Sequence, residues 1–422
     1  MIAQILVVGA VLSLTDAVHE ATLHHPQLKQ ARGATQAARA RVGEARAPLL
    51  PQLTGFASYQ RTTANFVNKP GSVPPSVGNG PAATFDTYNF FNFGLTASQL
   101  LFDNLGTIQG FRAAGLNAEA QARTEQQALA DVVLAVRTAY FNARALKELV
   151  SVARDTLANQ ERHLAQIQGY VRNGNRPPID LAQAKADCAN AQVQLINAEN
   201  GYEIAKAQLN QTMGSEAGTG YDLADDTLPP VDGEDESSDP LVSEALKSRS
   251  DVLAVERQVR ANELIIRQQQ AGYGPAFTLS STLNAADVRI DQLVPNWNLT
   301  FNMTWPIFQG LLTREQVREA EGNWITAVGQ RDAIRQQARL DVETARLRVR
   351  AAKAATAASR DALVNERERL KLAEGRYKSG VGSVLELGDA QLAATSAAAQ
   401  TVQAEYALAG ARALLLRALG RP

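Results

Sequence analysis

The feature that most restricts the fold is an internal duplication. Leu100-Leu101-Phe102-Asp103 matches Pro306-Ile307-Phe308-Gln309, Gly174 matches Gly380, Asp180-Leu181 matches Glu386-Leu387 and Gly214 matches Gly420, all at an offset of 206 residues. Upstream, Glu20-Ala21 matches Glu244-Ala245 and Pro51 matches Pro275 at an offset of 224. The difference, 224 minus 206, is 18 residues and falls in the Pro/Gly-rich piece at 69–81 of the first copy. Two copies of one supersecondary unit must bury their apolar faces by the same rules, so the two halves share an architecture.

Proline placement says which elements each copy holds. Of 16 prolines, none lies between Pro81 and Pro177, and none between Pro306 and the terminal Pro422. Two stretches of about a hundred residues therefore lack helix breakers. From Leu181, positions 181, 184, 188, 191, 195, 198, 202, 205 and 209 read Leu, Ala, Cys, Ala, Leu, Ala, Tyr, Ala, Leu. Shifted by 206, positions 387 to 415 read Leu, Ala, Ala, Ala, Thr, Ala, Leu, Ala, Leu. This is a heptad seam with alanine at alternate sites, which lets helices approach closely. A long helix over about Asn104–Gly169 would run about 100 Å, and shorter ones over about Leu14–Ala47 and Ile179–Met213 about 51 and 53 Å. Laid end to end, the short pair matches the long helix. An ordinary coiled-coil rod is the competing meaning of the same periodicity.

The aromatic residues belong to a different element. Fourteen of the 24 lie in 51–102 and 275–308. Between Trp297 and Ile307 the odd positions are Trp297, Leu299, Phe301, Met303, Trp305 and Ile307, with Asn298, Thr300, Asn302 and Thr304 between them. Phe91, Phe93, Leu95 and Ala97 alternate with Asn92, Gly94, Thr96 and Ser98 in the first copy. Period two over 11 residues, with a tryptophan near each end, suits the wall of a lipid-embedded barrel, and also a half-buried strand of a soluble sandwich. Partner strands are expected over about 52–62 and 280–289. Four strands cannot close a barrel alone, so a membrane reading forces several chains to pool them.

The resulting organisation is a first repeat over 1–220 (helix, β-hairpin about 52–102, long helix about 104–169, helix about 179–213), an acidic linker over 221–240, and a second repeat over 241–422 (helix, β-hairpin about 276–308, long helix about 310–376, helix about 384–419). The linker holds eight acidic residues, no Lys or Arg, and the turn signals Pro229-Pro230 and Asp232-Gly233, and reads as solvated.

Charge and rare residues exclude other classes. With 42 Lys plus Arg against 43 Asp plus Glu, the chain lacks the basic excess of a nucleic-acid binder. No apolar run approaches the roughly 20 residues of a spanning helix. One cysteine, Cys188, falls on the seam as a small hydrophobe. The four histidines are His19, His24, His25 and His163, without an HExxH pattern. Adjacent His24 and His25 point to different helix faces, so no metal site, cofactor or enzymatic activity is expected. Met1–Leu14 has an apolar core but no basic start or cleavage site, so an export signal is expected to be incomplete or trimmed, and no nearby cysteine offers a lipid anchor.

Three segments carry a family likeness: Glu44-Ala45-Arg46-Ala47-Pro48-Leu49-Leu50-Pro51-Gln52-Leu53, Trp305-Pro306-Ile307-Phe308-Gln309-Gly310, and Arg376-Tyr377-Lys378-Ser379-Gly380-Val381-Gly382 before Leu385-Glu386-Leu387. With the duplication in the same order from about Leu14 to Gly420, the chain resembles the TolC-like outer-membrane channel family. The resemblance implies a mixed fold: a trimeric outer-membrane β-barrel with four strands per chain, continuous with a long α-helical coiled-coil barrel reaching into the periplasm. It implies a passive exit duct of a tripartite efflux or type I secretion system. The expected partners are outer-membrane lipid, two further copies of the chain, a periplasmic adaptor and an inner-membrane pump. Phe91, Phe93, Leu95, Trp297, Leu299, Phe301, Met303 and Trp305 would face lipid. By motif position, Asp180 and Tyr377 match partners that close the tip, and Glu386 and Asp389 match a carboxylate ring inside it. The family's gate arginine is replaced here by Gly382, with Arg176 on the other turn as a substitute. A soluble coiled-coil scaffold or periplasmic adaptor is the competing reading.

Overall fold

The computed structural model describes residues 11–63, 87–174, 176–216 and 218–421. The N-terminal signal-like segment before residue 11 and the Pro/Gly-rich insertion lie outside them. In chain order the elements are β1 (Val11–Leu12), α1 (Leu14–His24), α2 (Pro26–Arg46), a short 3-10 turn (Ala47–Leu49), β2 (Gln52–Thr63), β3 (Thr87–Phe102), α3 (Gly106–Arg172), α4 (Pro178–Met213), β4 (Asp222–Leu223), α5 (Ser238–Ser248), α6 (Ser250–Ala271), β5 (Ala276–Asp287), β6 (Val294–Thr304), α7 (Leu312–Lys378) and α8 (Val384–Leu419). The two long helices have 67 residues each and the two that follow them 36 each, so the duplication persists in element lengths.

One compact unit comprises 36–121 and 255–330. It holds an antiparallel four-stranded sheet of order β2-β3-β5-β6, in which the central pair joins the two repeats. A bulge between Leu100 and Phe102 shifts the β3–β5 register. Just beyond, Asn104 and Leu105 adopt left-handed backbone, as do Gly310 and Leu311, their counterparts at the 206-residue offset. Both strands thus turn into long helices through the same strained pair, which for leucine requires support from its surroundings. In the first copy Asp103 caps α3 by accepting the Thr107 N–H at 2.7 Å.

The other unit comprises 1–35, 122–254 and 331–422. Its core is duplicated almost residue for residue. Val136, Ala143, Leu209 and Met213 are buried with Ala17 and Ala21, and their counterparts Val342, Val349, Leu415 and Leu419 are buried with Leu241 and Ala245. The heptad seams of α4 and α8 are buried or half-buried at every site, Cys188 included.

Two expectations are corrected. The helix expected over Leu14–Ala47 is broken at His25, whose extended backbone is what the following Pro26 imposes. The second copy breaks at Arg249 without a proline. At both breaks the C-terminal glycine of the neighbouring helix abuts the chain. A Cβ on Gly214 would lie 2.8 Å from His25 Cα, and one on Gly420 would lie 3.1 Å from Arg249 Cα. Both glycines are left-handed helix caps, so each break is a splice between two helix ends.

The acidic segment is the second correction: it is not a free, solvated linker but a strap on the helices. Leu223 pairs with Leu12 in the β1–β4 ladder, and Tyr221, Leu223, Val231 and Glu234 are buried. Its anchors are pairs related by the duplication. Lys147 holds Asp222 at 2.7 Å, while Lys353 (147 plus 206) holds Glu234 at 2.6 Å and Asp235 at 2.7 Å. Lys206 donates to the Thr219 carbonyl at 2.9 Å, and Arg412 (206 plus 206) binds the Leu228 carbonyl and both Glu234 oxygens at 3.0 Å. Burial would raise the Glu234 pKa, but hydrogen bonds from Arg412, Lys353 and the Val231 N–H bring it down to about 2.

Candidate functional site

Strand register decides the two faces of the sheet. Tyr59 pairs with Phe91, Ala57 with Phe93 and Gly55 with Leu95, and the rows continue as Leu95–Leu283–Trp297, Ala97–Ser281–Leu299 and Gln99–Leu279–Phe301, with Met303 opposite Phe277. Phe91, Phe93, Leu95, Trp297, Leu299, Phe301 and Met303 therefore share one face. Trp305 follows the end of β6, its indole donating to the Tyr273 carbonyl at 3.1 Å. In the single chain this face is an open apolar surface. Leu53, Leu95, Leu283, Trp297, Leu299, Phe301 and Met303 are exposed, and Phe91 and Phe93 are half-buried. An apolar patch of this extent marks a surface that contacts something other than water.

The opposite face is polar and laddered across strands. Asn284 donates to Asn92 at 3.1 Å, and the Thr96 and Thr282 hydroxyls are 3.1 Å apart. Asn298, Thr300 and Asn302 continue it on β6. Phe56 is an exception: its ring lies over Gly94, where a Cβ would sit 2.5 Å from Cζ. Among the described residues β2 and β6 are each paired on one side only, leaving two edges with unpaired backbone groups.

In the other unit, the turns joining α3 to α4 and α7 to α8 lie beside a small cluster of Ile167, Ala184, Ala373, Tyr377, Leu387 and Ala390. Tyr377 is its centre, 3% exposed, with a buried hydroxyl that has no hydrogen-bond partner among the described residues. The Arg176 guanidinium stands over its ring at 4.6 Å and the His163 ring meets it edge-on at 5.3 Å. Burial pushes the Tyr377 phenol pKa up, with Arg176 opposing and the Asp180 carboxylate reinforcing. Asp180, 8% exposed, thus acts on Tyr377 through charge, and no hydrogen bond joins the two.

Arg176 occupies the first-copy counterpart of Gly382, since 382 minus 206 is 176. Gly382 serves the tight turn that follows α7. Its N–H and that of Val381 both bond to the Arg376 carbonyl, and a Cβ there would press on Tyr377 N at 3.0 Å. The structure thus puts the arginine on one turn and the close backbone contact on the other.

The expected ring acids separate. Asp389 lines a cleft of about 500 Å³ with Asp180, Asp187, Gln160 and Gln183. Glu386 lies in a different groove with Glu368 and Arg369, 3.3 Å from the Arg376 guanidinium, and its N–H is capped by Ser383. The cleft is bridged by hydrogen bonds from Gln160 to Gln391 at 3.0 Å and between the hydroxyls of Thr156 and Thr395 at 3.3 Å. Sequence reasoning missed these bridges and His163. The polar residues of α3 carry no motif, although Thr156 and Gln160, four apart, share a helix face. Among the described residues no group of His, Cys, Asp and Glu could hold a metal ion, and no helix is long and apolar enough to cross a membrane.

Comparison with known proteins agrees with this geometry. The sequence pattern of the family described as outer membrane efflux protein matches residues 17–215 and 241–421. The chain is 25% identical over 423 residues to the outer membrane protein TolC of Escherichia coli (strain K12), covering 93% of this chain and 79% of TolC. It is 25% identical over 369 residues to the outer membrane protein OprJ of Pseudomonas aeruginosa, covering 84% and 73% respectively. A shorter match, 26% identical over 268 residues, joins it to the probable outer membrane lipoprotein SilC of Salmonella typhimurium and spans 61% of this chain but 56% of that protein. The solved structure of CusC superposes with a TM-score of 0.83 at 21% identity, covering 100% of this chain and 95% of CusC. VceC of Vibrio cholerae gives 0.82 at 19%, covering 97% and 96%. The reading as a soluble scaffold falls with these matches: the chain belongs to the outer membrane efflux protein family and is an efflux duct of the outer membrane.

Proposed function

We propose that three copies of the chain close head to tail, each β6 edge pairing with the β2 edge of the next copy, to form one antiparallel barrel. The observation that carries this reading is a sheet with one exposed apolar face and two unpaired edges. Open edges are not tolerated in lipid, and β6 of one copy is antiparallel to β2 of the next, so addition of identical sheets removes every edge. Phe91, Phe93, Leu95, Trp297, Leu299, Phe301, Met303 and Trp305 then contact lipid, with the tryptophans near the two interfaces. The Asn, Thr and Ser face lines a wet lumen.

The helix turns form the closed end. Arg176, Tyr377 and Asp180 hold it shut, and Asp389 with Asp180 supplies negative charge to the narrow part, which favours cations. Glu386 braces Arg376. The duct performs no chemistry: it receives substrate from a periplasmic adaptor and an inner-membrane pump and conducts it outward. Relatives named for cation efflux and for pyoverdine export support a role in export and differ in cargo.

Planar-bilayer recording tests the assignment of faces. Phe301→Arg is expected to cost about 2–4 kcal/mol and to abolish insertion. Thr300→Arg is expected to insert and to lower conductance. Equal behaviour of the two variants contradicts the reading.

A further inference from the structure

His163 takes no part in the closure described above, yet it is a buried imidazole at the tip. It is 9% exposed and borders a cavity of about 110 Å³ lined also by Asn159, Arg162, Glu374, Tyr377 and Lys378. Its ring packs at 64° to that of Tyr377, which already faces the Arg176 guanidinium. The duplication does not explain it, because its counterpart 206 residues on is Arg369, which is exposed.

The surrounding charges balance only while this imidazole is neutral. α3 contributes Arg162 and the half-buried Tyr170, the following turn contributes Arg176, α4 contributes Asp180 and Asp187, and α7 contributes Glu374, Tyr377 and Lys378. From α8 the cavity is lined by Leu387 and Gln391, neither of which titrates. That makes three cations (Arg162, Arg176, Lys378) against three carboxylates (Asp180, Asp187, Glu374). A proton on His163 adds an unmatched charge on a ring that is itself shielded from water, and puts a second cation against a tyrosine ring that already holds one. Burial holds its pKa below the ordinary value of 6.5, against the pull of Asp187 and Glu374.

We propose that His163 is a proton-operated latch: protonation of its buried ring parts α3 from α7 at the tip and frees the turns that carry Arg176 and Gly382. The proposal rests on reading these turns as the closed end of the duct. The packed form binds the proton less well than the loosened form, so packing is favoured above about pH 6.5 and weakens as pH falls below it. Each pH unit by which the loosened form's pKa exceeds that of the packed form shifts their ratio about tenfold per chain.

The test uses the full chain, assembled in detergent, with Cys188→Ala and spin labels on Gln168→Cys of α3 and Lys371→Cys of α7. The expected result is a fixed, narrow distance within one chain at about pH 7.5 that lengthens and broadens at about pH 5. His163→Gln should keep the narrow distance at both values, His163→Lys should show the broad one at both, and His24→Gln should behave as the parent. A pH step that survives in His163→Gln, or a parent without a step, overturns the latch. Conductance of the same samples separates it from the reading beneath it. Distances that move with His163 while conductance stays constant support the latch and refute the tip as the closed end.

Discussion

The two repeats agree in their cores and part at their tips. Val136, Leu209 and Met213 reappear as Val342, Leu415 and Leu419, all buried. At the tip, Arg176 corresponds to Gly382, half-buried Val171 to buried Tyr377, and buried His163 to exposed Arg369, all at the offset of 206. Packing against an equivalent neighbour constrains both copies alike, whereas a closure needs unlike partners that meet. Symmetry therefore marks what holds the helices together, and its loss marks where they do something else.

If the cores are equivalent, Leu209→Ala and Leu415→Ala should destabilise to a similar extent, each by about 2–5 kcal/mol in thermal unfolding of the detergent-extracted protein. A large effect in one copy alone would break the equivalence. The strap sharpens the comparison, because its anchors occupy equivalent places with different chemistry. Arg412→Met leaves buried Glu234 with Lys353 and the Val231 N–H and should cost about 2–3 kcal/mol, while Lys206→Met, whose partners are the Thr219 and Tyr221 carbonyls and exposed Glu203, should cost about 1 kcal/mol. Because the Glu234 pKa lies at about 2 when folded, against an ordinary value of 4.5, its contribution is complete above about pH 4.5 and disappears toward pH 2. Unfolding followed over that window should show this slope in the parent and a shallower one in Arg412→Met. At the tip the effect is smallest: Arg176→Gln removes a cation–π contact of about 0.5–2 kcal/mol and should raise the closed channel's leak conductance, whereas Arg369→Gln should leave it unchanged.

Much of this architecture was legible because it is periodic. Alternation placed Phe91 to Leu95 and Trp297 to Met303 on one face, and the heptads of α4 and α8 read directly as seams. The break at His25 was signalled by Pro26; the one at Arg249 was not, since it depends on Gly420 abutting it from 171 residues away (420 minus 249). The acidic strap was misread for the same reason. Its composition is that of a solvated loop, and the cations that bury it, Lys147, Lys353, Lys206 and Arg412, lie in four different helices. At the tip, motif position singled out Asp180, Tyr377, Glu386 and Asp389 but did not show that Glu386 and Asp389 line different grooves, because side chains three apart on a helix diverge once neighbours pack between them. His163 carried no signal at all. Its burial comes from Tyr377, on a helix that begins well over a hundred residues later.

The central claim is that one chain's sheet is completed by copies of itself. Cysteines introduced one at a time along β2 and one at a time along β6, in a Cys188→Ala background, test it directly by disulfide trapping in the detergent-extracted protein. A single antiparallel register of cross-links that joins three chains in a covalent ring is the predicted result. Cross-links in no consistent register, or a protein that stays a monomer in plain buffer, would contradict it.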